Sequence, residues 1–130
     1  MVYNKTSIRF HLYTAYVRMI IHNSFLNVSV DEAFAKNTDG ENCPIAKCYL
    51  PGDFINICNQ GGFNTQFLGG YLSLTEMKCL KKFVNKAIND QRLDDQHKQF
   101  LLALEYNQND YPKYQNKYAG IGGVYKLIKQ

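Results

Sequence analysis

The clearest pattern of apolar and polar side chains in this sequence begins at Ser73. Ser73 and Glu76 have the spacing of a capping box, in which each side chain accepts a hydrogen bond from a free backbone N–H at a helix start. The apolar residues that follow recur at helical spacing and are Met77, Leu80, Val84, Ala87 and Ile88. Lysine and asparagine occupy the opposite face. The pattern therefore predicts an amphipathic helix over about 74–89.

A second helix is predicted directly after the first. Asp94 is placed to cap it, and Asp95 puts a negative charge in its first turn, where the helix dipole favours one. The apolar residues at helical spacing are Phe100, Leu101 and Leu104. Because the connection between the two helices is short, they are expected to form an antiparallel αα-hairpin over about 74–106.

Residues 7–23 are rich in β-branched and aromatic side chains, a composition typical of a strand. The positions of the polar residues favour a helix instead. At about 100° per residue, one narrow polar stripe contains His11, Thr14, Arg18 and His22, whereas strand alternation would scatter these residues over both faces. We therefore predict a largely buried helix over residues 7–23.

A short helix and a loop are predicted next. Ser29 and Glu32 repeat the spacing of a capping box, which predicts a helix over about 30–36. Residues 37–53 gather glycine, proline, asparagine and aspartate, and are expected to form a loop.

The part of the chain after this loop predicts β-structure. Apolar and polar side chains alternate over residues 54–58, and pairs of glycines bracket residues 63–68. Two short strands or an irregular hairpin over about 54–72 would fit. Residues 119–130 add a glycine turn and a possible edge strand. Together with the helices, these segments predict an α+β fold that is predominantly helical.

The length of 130 residues is typical of one domain, so residues 1–130 are predicted to fold together. From about residue 107 the segment is basic and rich in tyrosine. Residues 111–130 contain four lysines and no acidic side chain, so their formal charge of +4 equals the net charge of the whole chain. Lysines attract phosphate or an acidic partner, and tyrosines stack on bases or anchor protein interfaces.

This charge distribution predicts a binding surface in the second half of the chain. It combines the lysine row on the polar face of the predicted 74–89 helix with the basic C-terminal segment. An amphipathic turn after Pro112 is expected to display the tyrosines beside the lysines. The predicted binding residues are Lys78, Lys82, Lys86, Arg92, Tyr111, Lys113, Tyr114, Lys117, Tyr118, Tyr125 and Lys126. The alternative is a solvated face whose tyrosines pack back on the domain.

Neither a metal site nor a cofactor is predicted. Structural zinc sites pair ligands two to four residues apart and then repeat the pair, and the four cysteines do not repeat such a pair. These residues are Cys43, Cys48, Cys58 and Cys79. Reduced thiols are expected for all four, with a disulfide between Cys43 and Cys48 as the less favoured alternative.

An enzyme is the alternative function. Cys58 would end a strand just before Gly61 and Gly62, whose backbone N–H groups could stabilise an oxyanion, and a base would come from one of the three histidines. No local sequence signature supports this arrangement, so no catalytic residue is predicted. Gly69 and Gly70 precede a helix start and could bind an anion, but glycines required for turns are the favoured interpretation.

The expected function is that of a non-enzymatic binding protein in the cytoplasm. The sequence has no secretory signal pattern and no apolar run long enough for a membrane span, so no membrane partner is expected. The expected partner is nucleic acid or a nucleic-acid-handling protein complex. By size and composition alone, the chain fits the small anti-CRISPR-like inhibitors with which phages and mobile elements block host defence.

Overall fold

The structure is a computed structural model that describes residues 2–39 and 47–130. In chain order its elements are strand β1 (Val2–Asn4), a π-helix (Arg9–Ile21), helix α1 (Val30–Asp39), strand β2 (Cys48–Tyr49), helix α2 (Pro51–Gln60), strand β3 (Phe63–Tyr71), helix α3 (Leu74–Ile88), helix α4 (Asp95–Leu102), and strands β4 (Glu105–Tyr106), β5 (Pro112–Tyr114), β6 (Lys117–Tyr118) and β7 (Gly122–Lys129). Helices and strands are both present, as the α+β prediction requires.

The strands form two sheets. The larger has the order β2-β1-β7-β3, in which β1 and β2 run parallel and the other neighbours run antiparallel. The smaller is the antiparallel sheet β4-β5-β6. The final strand was predicted to lie at an edge, and this is wrong for its first residues, Gly122 and Gly123, which pair with β1 on one side and with β3 on the other. Within residues 2–39 and 47–130, the rest of β7 pairs only with β3. At Gly123 a Cβ would lie only 2.9 Å from the Val2 carbonyl oxygen, so glycine lets β1 approach there.

The core is built around the π-helix, on which α1, α3 and α4 all pack. Leu12 and Tyr16 of the π-helix are fully buried among side chains of α3 and α4, including Leu80 and Leu101. A second, smaller cluster joins Phe10 to Phe34 of α1 and to β2. Both helices of the predicted αα-hairpin are therefore present and contribute to one core.

The predicted N-terminal helix is confirmed, but its winding differs from the one assumed. The His22 N–H donates to the Val17 carbonyl at 2.9 Å, five residues back, so the turn is wider than that of an α-helix. The polar stripe calculated for an α-helix is consequently lost. Thr14 is fully buried, His11 is mostly buried and His22 is exposed.

The strand predicted over residues 54–58 is wrong, because these residues belong to α2. Pro51 stands at the first helical position, where its missing N–H costs nothing, and Asp53 lies in the first turn. These start signals outweigh a short alternation of side chains. The β element is confirmed only in its second half, as β3.

The loop predicted over residues 37–53 is shorter than expected. Helix α1 continues to Asp39, strand β2 follows from Cys48, and α2 begins at Pro51. The residues between, 40–46, lie outside the described part of the chain, and Cys43 is among them. Of the described cysteines, Cys48, Cys58 and Cys79 are free thiols.

The predicted helix starts are mostly confirmed. Ser73 and Glu76 form the complete capping box of α3. At the start of α1, the Glu32 N–H donates to Ser29 Oγ at 3.1 Å. Helix α4 also begins where predicted, after Asp94, although within the described residues the Asp94 side chain makes no capping hydrogen bond.

No helix in residues 2–39 or 47–130 is long and apolar enough to cross a bilayer.

Candidate functional site

Strands β5 and β6 of the C-terminal segment form a β-hairpin, and the amphipathic turn predicted after Pro112 is wrong. Gln115 and Asn116 have φ of 50° and 65°, the left-handed values that a tight type I′ hairpin turn requires at both central residues. Strands β5 and β6 then place Lys113 opposite Tyr118, and Tyr114 opposite Lys117. Because neighbouring residues of a strand point to opposite faces, the two pairs lie on opposite sides of the hairpin.

Tyr118 is the centre of the outer side. The Lys113 ammonium lies 4.9 Å from the Tyr118 ring centroid, within the range of a cation–π contact. Tyr111 meets the same ring edge to face, with centroids 6.4 Å apart, and Asn107 Nδ2 donates to the Tyr118 hydroxyl at 3.1 Å. These contacts hold an exposed aromatic pair in a defined position.

The structure adds residues to this site that the sequence pattern does not predict. Tyr71 at the end of β3 and Leu74 at the start of α3 are 72% and 70% exposed. They line one groove of about 460 Å³ with Met77, Tyr111 and Tyr118. We call the group Tyr71, Leu74, Met77, Tyr111, Lys113 and Tyr118 the aromatic face.

A second groove, of about 560 Å³, adjoins the aromatic face because Met77 lines both. Its floor is apolar, formed with Met77 by Leu80 and Val84. Its remaining lining residues are Lys78, Lys81, Tyr106 and Asp110. The lysines of the first turns of α3 thus stand beside apolar surface, together with a carboxylate.

The other predicted cations lie elsewhere. Lys82 and Lys86 are exposed farther along α3, about 6 and 12 Å beyond Lys78 at the helical rise. Arg92 forms a salt bridge of 2.7 Å with Asp90, and this contact holds the pKa of that carboxyl well below its ordinary value. Its charge is therefore already partnered.

The remaining predicted residues divide between two further places. Tyr114 packs on Phe100 at a centroid distance of 4.7 Å, and Lys117 lines a groove that also contains Asp53. Tyr125 packs between the rings of Phe54 in α2 and Phe67 in β3 in tilted geometry, and burial raises its pKa to about 12. Lys126 follows it on the opposite face of β7 and is exposed. Of the predicted set, Tyr111, Lys113 and Tyr118 come together, and Lys78 lines the adjoining groove.

Sequence reasoning missed Tyr71 and Leu74 because they precede the periodic part of α3. One signal was available. At about 100° per residue, Leu74 lies roughly 90° away from the centre of the apolar stripe, so burial of that stripe leaves it exposed. A leucine at a helix start that lies outside the buried stripe is therefore predicted to be exposed.

The arrangement proposed for a cysteine-dependent enzyme is not formed. Cys58 lies within α2 and not at a strand end. The Gly61 N–H donates to the carbonyls of Ile57 and Cys58, and the Gly62 N–H donates to that of Asn59 at 3.1 Å. These two N–H groups close the end of the helix and do not point at an oxyanion.

The glycine pair considered for anion binding also has a structural role. Gly70 lies within β3, and a Cβ there would overlap the carbonyl group of Gly120. Strand β3 therefore passes Gly120, in the segment that precedes β7, at a distance that only glycine permits. Among the described residues, no three His, Cys, Asp or Glu side chains form a group that could hold a metal ion.

Two of the three histidines form a buried pair. The Nδ1 atoms of His11 and His97 are 2.8 Å apart, so one ring donates a proton and the other accepts it. His11 also stacks on Phe100, with centroids 4.1 Å apart. Burial is the main cause that lowers the pKa of His11 from 6.5 to about 3, and burial lowers the pKa of His97 as well.

This pair predicts a loss of stability in acid. As the pH falls below 6.5 the unfolded chain takes up protons that the folded chain does not bind, so stability present above that pH is lost between pH 6.5 and about 3. From about pH 7 to about pH 4.5, His11 alone should lower the free energy of unfolding by about 2 kcal/mol. Urea unfolding at the two pH values measures the change.

The control for this prediction is a variant in which both partners become apolar, His11→Phe with His97→Leu. It should lose less stability over the same interval, whereas His22→Gln, at an exposed histidine, should behave as the parent. Because the parent and the double variant share every other titrating group, the comparison between them isolates the pair. Equal losses in the parent and the double variant would contradict the prediction.

Comparison of the chain with protein-family models, with curated proteins and with solved structures gives no match. Its function is therefore inferred from its own residues and their arrangement.

Proposed function

We propose that this chain is a non-catalytic binding protein that contacts a protein partner through the aromatic face. The observation that supports this most strongly is the exposure of Tyr71, Leu74, Tyr111 and Tyr118 around one groove. Large apolar side chains grouped at a surface are typical of interaction sites. Tyrosines are also frequent among the few residues that dominate interface energies.

The charges around the face favour a protein over nucleic acid. Lys78, Lys81 and Lys113 are accompanied by Asp110 in the adjoining groove and by Glu105, which pairs with Lys113 across β4 and β5. Binding to a phosphate backbone depends on several cations that neutralise phosphates. An apolar centre with a rim of mixed charge is instead the usual composition of a protein interface.

For the partner, we propose a protein of a nucleic-acid-handling complex, in keeping with an anti-CRISPR-like inhibitor from a phage or mobile element. Small size and composition support this part of the proposal. The protein would act in the cytoplasm, as a stoichiometric ligand, with no cofactor and no membrane partner.

Site-specific crosslinking tests the proposal. Replacing Tyr118 with the photoreactive amino acid benzoylphenylalanine should give a discrete protein crosslink in a bacterial lysate, and the same crosslink should form in a lysate treated with nuclease before irradiation. The same substitution at Lys86, exposed on α3 outside the aromatic face, is the control and should not give that product. A crosslink at Lys86 of equal yield, or loss of the product when nuclease is added before irradiation, would overturn the proposal.

Direct titration with a fluorescent single-stranded poly-dT oligonucleotide tests the nucleic-acid alternative. The chain should show weak binding that disappears between about 50 and about 200 mM salt, as expected for contacts that are only electrostatic. Binding that persists at the higher salt and requires Tyr118 would show that the aromatic face stacks on bases. That outcome would replace the protein partner with nucleic acid.

A further inference from the structure

Strand β7 has an outer edge along which its backbone groups point away from β3. The Gln130 N–H donates to the Gly62 carbonyl at 3.0 Å, so these two residues form a hydrogen-bonded pair of the β3–β7 ladder. Hydrogen-bonded and non-hydrogen-bonded pairs alternate along an antiparallel ladder, so Ile128 and Lys126 also bond to β3. The N–H and C=O groups of Tyr125, Leu127 and Lys129 must therefore point outward.

Two other hydrogen bonds agree with this alternation. Thr65 is the partner of Leu127 in the ladder, and its N–H turns away from β7 to donate to Asn59 Oδ1 at 3.1 Å. On the β1 side, the Asn4 N–H donates to the Ile121 carbonyl at 2.8 Å. The backbone N–H and C=O groups of Ile121 and Gly123 therefore face β1. Those of every second residue after them, Tyr125, Leu127 and Lys129, point the same way beyond the end of β1.

Within residues 2–39 and 47–130, β7 pairs only with β1 and β3, and β1 reaches only Gly122 and Gly123. The last four residues of β7 are all exposed, and Ile128 is 52% exposed. A strand edge of this kind is a template for the addition of another strand.

The charge of this edge selects its partner. Lys126 and Lys129 point to opposite faces, and neither β3 nor β7 contains an acidic residue. Each face of the two-stranded ribbon thus presents one lysine and no carboxylate. Lysines at an edge oppose pairing with a second copy of the chain, because the interface between the two edges would contain four lysines, two from each copy. They favour a strand that brings carboxylates, since opposite charges across strands attract.

We propose that the outer edge of β7, from Tyr125 to Lys129, binds an extended protein segment that carries acidic residues, by strand addition. Main-chain hydrogen bonds to the outward groups of Tyr125, Leu127 and Lys129 supply the attachment. The two lysines select for carboxylates. This surface is separate from the aromatic face, and the inference does not depend on the function proposed for that face.

A suitable probe is the peptide acetyl-Thr-Glu-Val-Thr-Glu-Val-Thr-amide, whose two glutamates are three residues apart, as Lys126 and Lys129 are. In the free chain, amide hydrogen exchange should be slow at Lys126 and Ile128, which bond to β3, and fast at the three outward residues. With the peptide at saturation, exchange at Tyr125, Leu127 and Lys129 should slow by about tenfold or more. Protection of these three amides in the free monomer would show that the edge is already covered and overturn the proposal.

Substitutions at Leu127 test the same point by binding. Leu127→Pro removes an N–H that the β3 ladder does not use, so the ribbon should remain intact while peptide affinity falls about tenfold or more. Leu127→Ala shortens the side chain, keeps the N–H and should bind within about threefold of the parent. Equal affinity of the two variants would overturn the proposal. If Leu127→Pro does not fold, the exchange pattern of the parent decides the matter.

Charge reversal completes the test. A peptide with lysine in place of both glutamates should bind the parent about tenfold more weakly, because two attractive cross-strand pairs become repulsive. The double variant Lys126→Glu with Lys129→Glu should reverse this preference. If neither peptide binds, or if the chain pairs with itself in sedimentation experiments at the same concentration, the acidic segment is not the partner of this edge.

Discussion

Replacing Glu76 with alanine is expected to lower the free energy of unfolding by about 4 kcal/mol, the largest effect of any single substitution proposed for this chain. Glu76 is fully buried and joins three separate segments. Its carboxylate accepts hydrogen bonds from the backbone N–H groups of Arg9 at 3.0 Å, Ser73 at 3.0 Å and Ile121 at 3.1 Å. Alanine would leave all three partly buried donors without these acceptors.

The sequence provides a matched control at the start of α1. Glu32 occupies the same position after Ser29 as Glu76 does after Ser73, but it is exposed. Glu32→Ala should therefore change stability by only about 0.5 kcal/mol, as for most surface substitutions. Urea denaturation of the two variants measures the difference. Similar losses of stability in both variants would mean that Glu76 acts only as the cap of α3 and does not join the π-helix to the segment before β7.

Leu101→Ala is expected to lower the free energy of unfolding by about 3 kcal/mol. Leu101 is 3% exposed and lies in the core cluster that joins α4 to α3 and the π-helix. Removing its side chain forfeits burial and leaves a cavity that close-packed neighbours fill only in part. Chemical denaturation gives the value directly.

Leu102 is the natural control, because it follows Leu101 in the same helix and is 58% exposed. Leu102→Ala should cost less than about 1 kcal/mol. If Leu101→Ala were as stable as the parent while Leu102→Ala were not, the buried face of α4 would have been assigned to the wrong side.

The elements that the sequence predicted well are those with local signals. The capping box at Ser73 and the apolar repeat after it specify α3 without reference to the rest of the chain. The further role of Glu76 depends on Arg9 and Ile121, which are distant in sequence. No spacing rule connects these residues, so the box was predicted and its second function was not.

The errors have equally specific causes. Residues 54–58 alternate in polarity, which predicts a strand. Pro51 and Asp53, however, mark a helix start, and the segment is helical. Tyrosines near Pro112 have helical spacing, but the left-handed residues Gln115 and Asn116 turn the chain into a hairpin. In both places a turn or cap residue outweighs a short periodic pattern.

The candidate site shows the same limit. Lys113, Tyr111 and Tyr118 could be predicted as one group because they are close in sequence. Tyr71 and Leu74 reach them only because β3 crosses the chain near Gly120 and brings the start of α3 beside the hairpin. The lysines of α3 were predicted as one ridge, yet only Lys78 and Lys81 line the groove that adjoins the aromatic face.

The most direct test of the central claim is the affinity of Tyr118→Ala for the protein that crosslinks at position 118, measured at two salt concentrations. We expect a loss of about thirtyfold, equivalent to about 2 kcal/mol, with little dependence on salt, while Lys86→Ala binds as the parent does. Parental affinity of Tyr118→Ala, or a larger loss in Lys86→Ala that shrinks as the salt concentration is raised, would contradict an aromatic docking surface.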